Sequence, residues 1–259
     1  MQHRIRRPLL AAIAALVVLA AVASFAGRAR AAAHAQITVY AAASLTDVFP
    51  QIDPAERYSF GGSNALAAQI TQGAPADVFA SANTTLPAQL FTRNLCSQPI
   101  VFTRNTLVVV VPTSNSKGIK SVFDLSKPDV KLVIAGAGVP VGTYTLQILK
   151  QMNLSTAVLK NVVSRETDVR EVLSKVALGE ADAGFVYSTD ARTVPGKVKV
   201  IKVPAWAEPK VQYGICIVSR SQNKADAQAF INKVMSKAGQ AKMIQFGFLP
   251  RVKPVAKKK

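Results

Sequence analysis

The feature that most constrains this chain is a repeated change of hydrophobic period. Short β-branched or apolar runs at 37–40, 57–60 and 76–80 alternate with helical spacing at 45–52, 64–72 and 86–93, with only short loops between them. The same alternation resumes after the long apolar run 106–111: strands over 131–135, 161–164 and 183–187, helices over 142–152 and 168–178. Strand, helix, strand with short connections forces each helix back across the sheet, so the chain is α/β with largely parallel strands. Gly73 and Gly179 stand where two of these helices should stop. Residues 197–203 alternate basic and apolar like a half-exposed strand, 213–219 is apolar, and 225–246 reads as a closing helical segment.

The N-terminal 35 residues belong to a different class. Arg4, Arg6 and Arg7 precede an uncharged apolar run from Pro8 to Gly27, and two A-x-A patterns follow, Ala29-Arg30-Ala31 and Ala33-His34-Ala35. This is the pattern of a secretory signal peptide over 1–35, with an uncleaved anchor as the other reading. The full chain of 259 residues carries 32 basic and 14 acidic residues, a net +18. Five arginines lie in the first 35, so a chain starting at Gln36 has 27 basic and 14 acidic residues, a net +13. The charge is uneven: 36–115 holds three basic and four acidic residues, and 116–259 holds 24 and ten. The lysines are scattered, as on a solvated surface, although a basic half also draws anions toward a cleft.

Cleavage also removes both histidines, His3 and His34. That excludes a Ser-His-Asp hydrolase and leaves a transition metal without imidazole. Cys96 and Cys216 either pair in an oxidising compartment or lie buried as thiols; their spacing of 120 residues decides neither. No cofactor and no enzymatic activity are expected.

Three turns place small polar residues and free N–H groups after strands. They are Ala41-Ala42-Ala43-Ser44, Gly61-Gly62-Ser63 and Val139-Pro140-Val141-Gly142. Helix N-termini at the carboxyl ends of strands suit anions, because the first N–H groups have no intrahelical partner and the dipole is positive there. Each serine alone is equally an ordinary helix cap.

The blocks around these turns resemble the periplasmic molybdate-binding proteins, the solute receptors of molybdate ABC transporters. They run in order from Ile37-Thr38-Val39-Tyr40-Ala41-Ala42-Ala43-Ser44-Leu45-Thr46 through Phe60-Gly61-Gly62-Ser63-Asn64-Ala65-Leu66 to Gly73-Ala74-Pro75-Ala76-Asp77-Val78-Phe79. Val139-Pro140-Val141-Gly142-Thr143-Tyr144, Asp168-Val169-Arg170, Gly184-Phe185-Val186-Tyr187-Ser188-Thr189-Asp190-Ala191 and Gln245-Phe246-Gly247-Phe248 continue the match. The resemblance implies a type II periplasmic binding fold, two α/β lobes joined by two crossovers with a ligand cleft between them. It implies a molybdate site, and a tungstate one, made of hydrogen-bond donors: the hydroxyls of Ser44, Ser63 and Tyr187 and the backbone N–H groups of Val141 and Val169. No metal is implied other than the oxyanion itself. The expected lobes are 36–110 with 216–259, and 111–215, with 106–111 and 213–219 as the crossings. The expected partners are the oxyanion and an inner-membrane ABC permease, for a monomeric periplasmic receptor that binds no nucleic acid. The interval from Ser44 to Ser63 is only 19 residues and contains Pro50 and Pro54, which implies a truncated first helix. Other readings are a receptor for sulfate or another small oxyanion, a Ser-Lys hydrolase built on Gly61-Gly62-Ser63-Asn64-Ala65, and a polyanion binder.

Overall fold

The computed structural model describes residues 35–251; the signal-peptide assignment and the basic tail lie outside that range. In chain order the strands are β1 Thr38–Ala42, β2 Arg57–Gly61, β3 Val78–Ser81, β4 Ile100–Asn105 and β5 Leu107–Pro112. They continue as β6 Leu132–Ala135, β7 Val162–Glu166, β8 Ala183–Tyr187, β9 Val198–Lys202 and β10 Val211–Ile217. The helices are α1 Phe49–Ile52, α2 Ser63–Thr71, α3 Thr85–Thr92, α4 Pro140–Gln151 and α5 Ser155–Leu159. After these come α6 Val169–Ala177, α7 Ser188–Ala191, α8 Lys224–Met235 and α9 Lys237–Gln245.

The strands form two five-stranded sheets, ordered β2-β1-β3-β10-β4 and β7-β6-β8-β5-β9. In the first, β1 is parallel to β2 and β3, and β10 runs antiparallel between β3 and β4. The second repeats that plan: β6 is parallel to β7 and β8, and β5 runs antiparallel between β8 and β9. Each antiparallel strand is the first strand the chain lays down after changing sheets. The crossings are therefore at Asn105-Thr106, between β4 and β5, and in the segment between β9 and β10. This corrects the expected crossings: 106–111 is the fully covered strand β5 of the second sheet, and 213–219 overlaps β10 of the first. Five consecutive apolar residues, Leu107 to Val111, suit a strand covered on both faces. β9 closes its sheet as an edge and carries exposed Lys199, where charge opposes strand addition.

Two local expectations also change. The stretch 45–52 is not one helix but a single 3-10 turn, Ala43–Leu45, and the four-residue α1 with Pro50 in its first turn. β4 and α5 carry no clear period in the sequence. The closing segment breaks at Ser236, whose hydroxyl caps α9 by accepting the Gly239 N–H at 3.0 Å. The two cysteines are joined, Cα to Cα 6.0 Å apart, tying the chain after α3 to β10 within the first lobe. No helix among the described residues is long and apolar enough to cross a membrane.

Candidate functional site

The repeated sheet plan puts corresponding turns of the two lobes face to face. The turns after β1, β2 and β3 bring Ser44, Ser63 and Ala82 to one cleft. From the other lobe, the turns after β6 and β7 bring Val141 and Val169, and β8 ends on Tyr187. All five residues expected from the sequence thus line one space, and none is more than 4% exposed.

Local structure leaves donors pointing at that space unclaimed. Ser63 opens α2 after Gly62, which offers no side-chain cap. The Ser63 Oγ accepts the Ala82 N–H at 3.1 Å, so its own proton remains for another partner. Val141 lies in the first turn of α4, where Pro140 has no N–H and Val139 supplies no side-chain cap. Val169 is the first residue of α6; the Asp168 carboxylate takes the next two N–H groups, of Arg170 at 2.7 Å and Glu171 at 3.2 Å. Asp168 is the one charged side chain in the lining among the described residues, and its Oδ1 accepts both of these N–H groups.

Tyr187 is buried and its hydroxyl meets no hydrogen-bond partner; the neighbouring Tyr213 hydroxyl does not reach it in bonding geometry. Burial, reinforced by Tyr213, Tyr144 and Asp190 nearby, pushes its pKa well above the ordinary tyrosine value. It is therefore a neutral phenol with a proton to give. An orphan buried hydroxyl costs on the order of 1–3 kcal/mol, which a bound acceptor would offset.

Positive charge lies one step back. Arg170 pairs through Nε with Asp190 Oδ1 at 2.7 Å and through a second nitrogen with Asp47 of the first lobe, so it bridges the cleft. Burial pushes Asp190 up to about 6, against the opposing pull of Arg170. The lobes also meet at Gly62, where a Cβ would stand 2.3 Å from the Thr167 carbonyl oxygen and 2.9 Å from Asn64 Oδ1. Both this contact and the polar residues behind Ser44, Asn105 and Tyr213, escape a sequence reading. The only trace is a tyrosine inside the apolar run of β10.

Among the described residues, the Ser44 and Ser63 hydroxyls bond to the Tyr213 hydroxyl and the Ala82 N–H, not to a carboxylate or an amine. The arrangement can hold a small anion whose oxygens only accept hydrogen bonds, using hydroxyls, free N–H groups and helix dipoles in place of a cation.

Comparison with known proteins places this geometry. Residues 37–249 match the family of bacterial extracellular solute-binding proteins. The molybdate-binding protein ModA of Mycobacterium tuberculosis (strain ATCC 25618 / H37Rv) is 37% identical over 222 residues, covering 82% of this chain and 84% of the relative. ModA of Haemophilus influenzae is 35% identical over 237 residues, covering 84% and 91%. Among solved structures, the Azotobacter vinelandii periplasmic molybdate-binding protein shares the fold with TM-score 0.74 at 22% identity, over 84% of this chain and 100% of that one. The sulfate-binding protein SubI of Mycobacterium tuberculosis has the same TM-score, 0.74, at 19% identity over 85% and 88%, so the fold alone does not choose the ligand. By its fold, by the donors gathered at the cleft and by these matches, the chain belongs to the bacterial extracellular solute-binding protein family.

Proposed function

We propose that this chain is an exported receptor that captures molybdate, and tungstate with it, and delivers it to an inner-membrane ABC permease. The observation that carries the reading is a buried interlobe space lined by hydroxyls and helix N-termini, with no cationic side chain in it. A fully deprotonated tetrahedral dianion presents only acceptors, so donors alone can satisfy it. The names of the relatives at 37% and 35% identity favour molybdate over sulfate. Ser44, Ser63 and Tyr187 donate from hydroxyls, Val141 and Val169 from the backbone, and no resident cofactor is called on. The receptor acts as a monomer in the periplasm, and closing of the two lobes on the anion makes the form the permease recognises.

Thermal unfolding tests this directly. A ligand that binds only the folded chain stabilises it by about 2.7 kcal/mol at 100-fold its dissociation constant. Molybdate should raise the melting temperature of the chain lacking residues 1–35, and a temperature unmoved at millimolar molybdate contradicts the proposal.

A further inference from the structure

Behind Ser44 runs a buried polar chain that reaches the cleft at that serine. Asn105 stands at the first crossing and Tyr213 on β10, next to the second, both buried. The Thr106 N–H meets the Asn105 side chain at 2.9 Å, and a backbone N–H can only donate, so the atom it meets is the amide oxygen. The Ser188 hydroxyl donates to the same oxygen at 3.0 Å. The amide nitrogen therefore faces the other way, giving its two protons to Thr189 Oγ1 at 2.9 Å and to the Tyr213 hydroxyl at 3.3 Å.

Tyr213 has one proton, and its oxygen already accepts. Ser44 Oγ lies 2.9 Å from the Tyr213 hydroxyl, a bond in which either oxygen can donate. Burial holds the Tyr213 pKa well above the ordinary value, so the proton stays on the phenol. With Tyr213 donating to it, the Ser44 hydroxyl has one proton left, and Ser44 lines the cleft. With the Tyr213 proton placed on that bond, the donors run in one order, from Asn105 through Tyr213 and Ser44 into the space between the lobes. The ring of Tyr213 is fixed edge-on between Phe102 and Phe248, with centroids 6.0 and 5.6 Å away, so the phenol cannot swing aside without repacking.

We infer that Tyr213, oriented by Asn105, is a positioning residue for the ligand: it commits the Ser44 hydroxyl to donating into the cleft before the anion arrives. The inference rests on the oxyanion reading of the cleft. An unanchored hydroxyl can point its proton in several directions, and binding must then select one. An anchored hydroxyl is already selected, and each bond in the chain polarises the next. Because Asn105 also holds Ser188 and Thr189, which follow Tyr187 of the other lobe, the same amide aligns a donor from each side.

A double-mutant cycle tests it, with calorimetric titration of molybdate into the wild-type chain, Ser44→Ala, Tyr213→Phe and the double variant. Tyr213→Phe should weaken binding about tenfold in the wild-type background and less than about twofold when Ser44 is already alanine, since contacting residues couple. Equal weakening in both backgrounds, or a Tyr213→Phe affinity within about twofold of wild type, overturns the relay while leaving the oxyanion reading intact. A wild-type chain that binds no molybdate overturns both. Melting temperatures without ligand establish that each variant folds. Should Tyr213→Phe not fold, Asn105→Leu, which withdraws the donor to Tyr213, carries the same cycle with the same two outcomes.

Discussion

At the scale of single residues, Tyr187 and Asp190 stand three positions apart and are both buried, yet they do opposite things. Tyr187 has a proton and no partner; Asp190 has partners and resists its charge. Tyr187→Phe removes a donor to a charged ligand, worth roughly 1.5–3 kcal/mol, so molybdate affinity should fall about ten- to 150-fold. It also removes an orphaned polar atom, so the unliganded variant should unfold no more easily than wild type. A purely structural tyrosine would show the reverse, lower stability with unchanged affinity. For Asp190, a carboxyl raised to about 6 binds its proton more tightly folded than unfolded. Its contribution to stability is therefore present at low pH and is lost as pH rises between about 4 and 6. Measured against Asp190→Asn, the urea midpoint of the wild-type chain should decline across that window; a flat or rising difference contradicts the assignment.

At the scale of elements, the truncated opening of the first lobe was legible, because Pro50 and Pro54 leave room for no more than one turn, and α1 is four residues long. The break between α8 and α9 was not, because Val234-Met235 before Ser236 and Lys237-Ala238 after it continue a helical composition, and the cap geometry reveals the break. The turns that carry Ser44, Ser63 and Val141 were legible, since small residues mark where a strand gives way to a helix, whereas Val169 and Tyr187 were reached only through the family pattern. Asn105 and Tyr213 were not, because their role depends on which strands become neighbours after the chain has crossed between sheets. Gly62 belongs to the same class. Its φ of −60° demands no glycine; the approach of Thr167 does. Gly62→Ala should therefore leave the first lobe intact but hold the lobes apart, weakening molybdate binding by at least about tenfold, in line with a cost of 1–3 kcal/mol for overpacking a close contact. Wild-type affinity in this variant would show that the lobes need not approach so closely. The Cys96–Cys216 link makes the contrasting case. Both cysteines belong to the first lobe, the 120-residue separation between them takes in the whole second lobe, and neither lines the cleft. Replacing both cysteines by alanine should lower unfolding free energy by about 2–4 kcal/mol and leave affinity unchanged. A loss of affinity would tie the link to the binding geometry after all.

At the scale of the whole molecule, two sheets with the same strand order face each other through their strand ends, and each receives its antiparallel strand from the chain's return crossing. That plan explains why the donors come in matched turns and why an ion pair, Asp47 with Arg170, spans the lobes beside them. It also explains why the expected crossings fell several residues from the observed ones: β5 and most of β10 are apolar runs, and nothing in an apolar run marks which sheet it joins. The central claim is that this cleft satisfies a fully deprotonated tetrahedral dianion with neutral donors alone. Calorimetric titration of the chain from Gln36 onward with molybdate, tungstate, sulfate and phosphate at neutral pH tests it most directly. One molybdate or tungstate should bind per chain, sulfate more weakly than both, and phosphate, which keeps a proton that needs an acceptor, most weakly of all. Phosphate binding as tightly as molybdate, or no binding of any of the four, would contradict it.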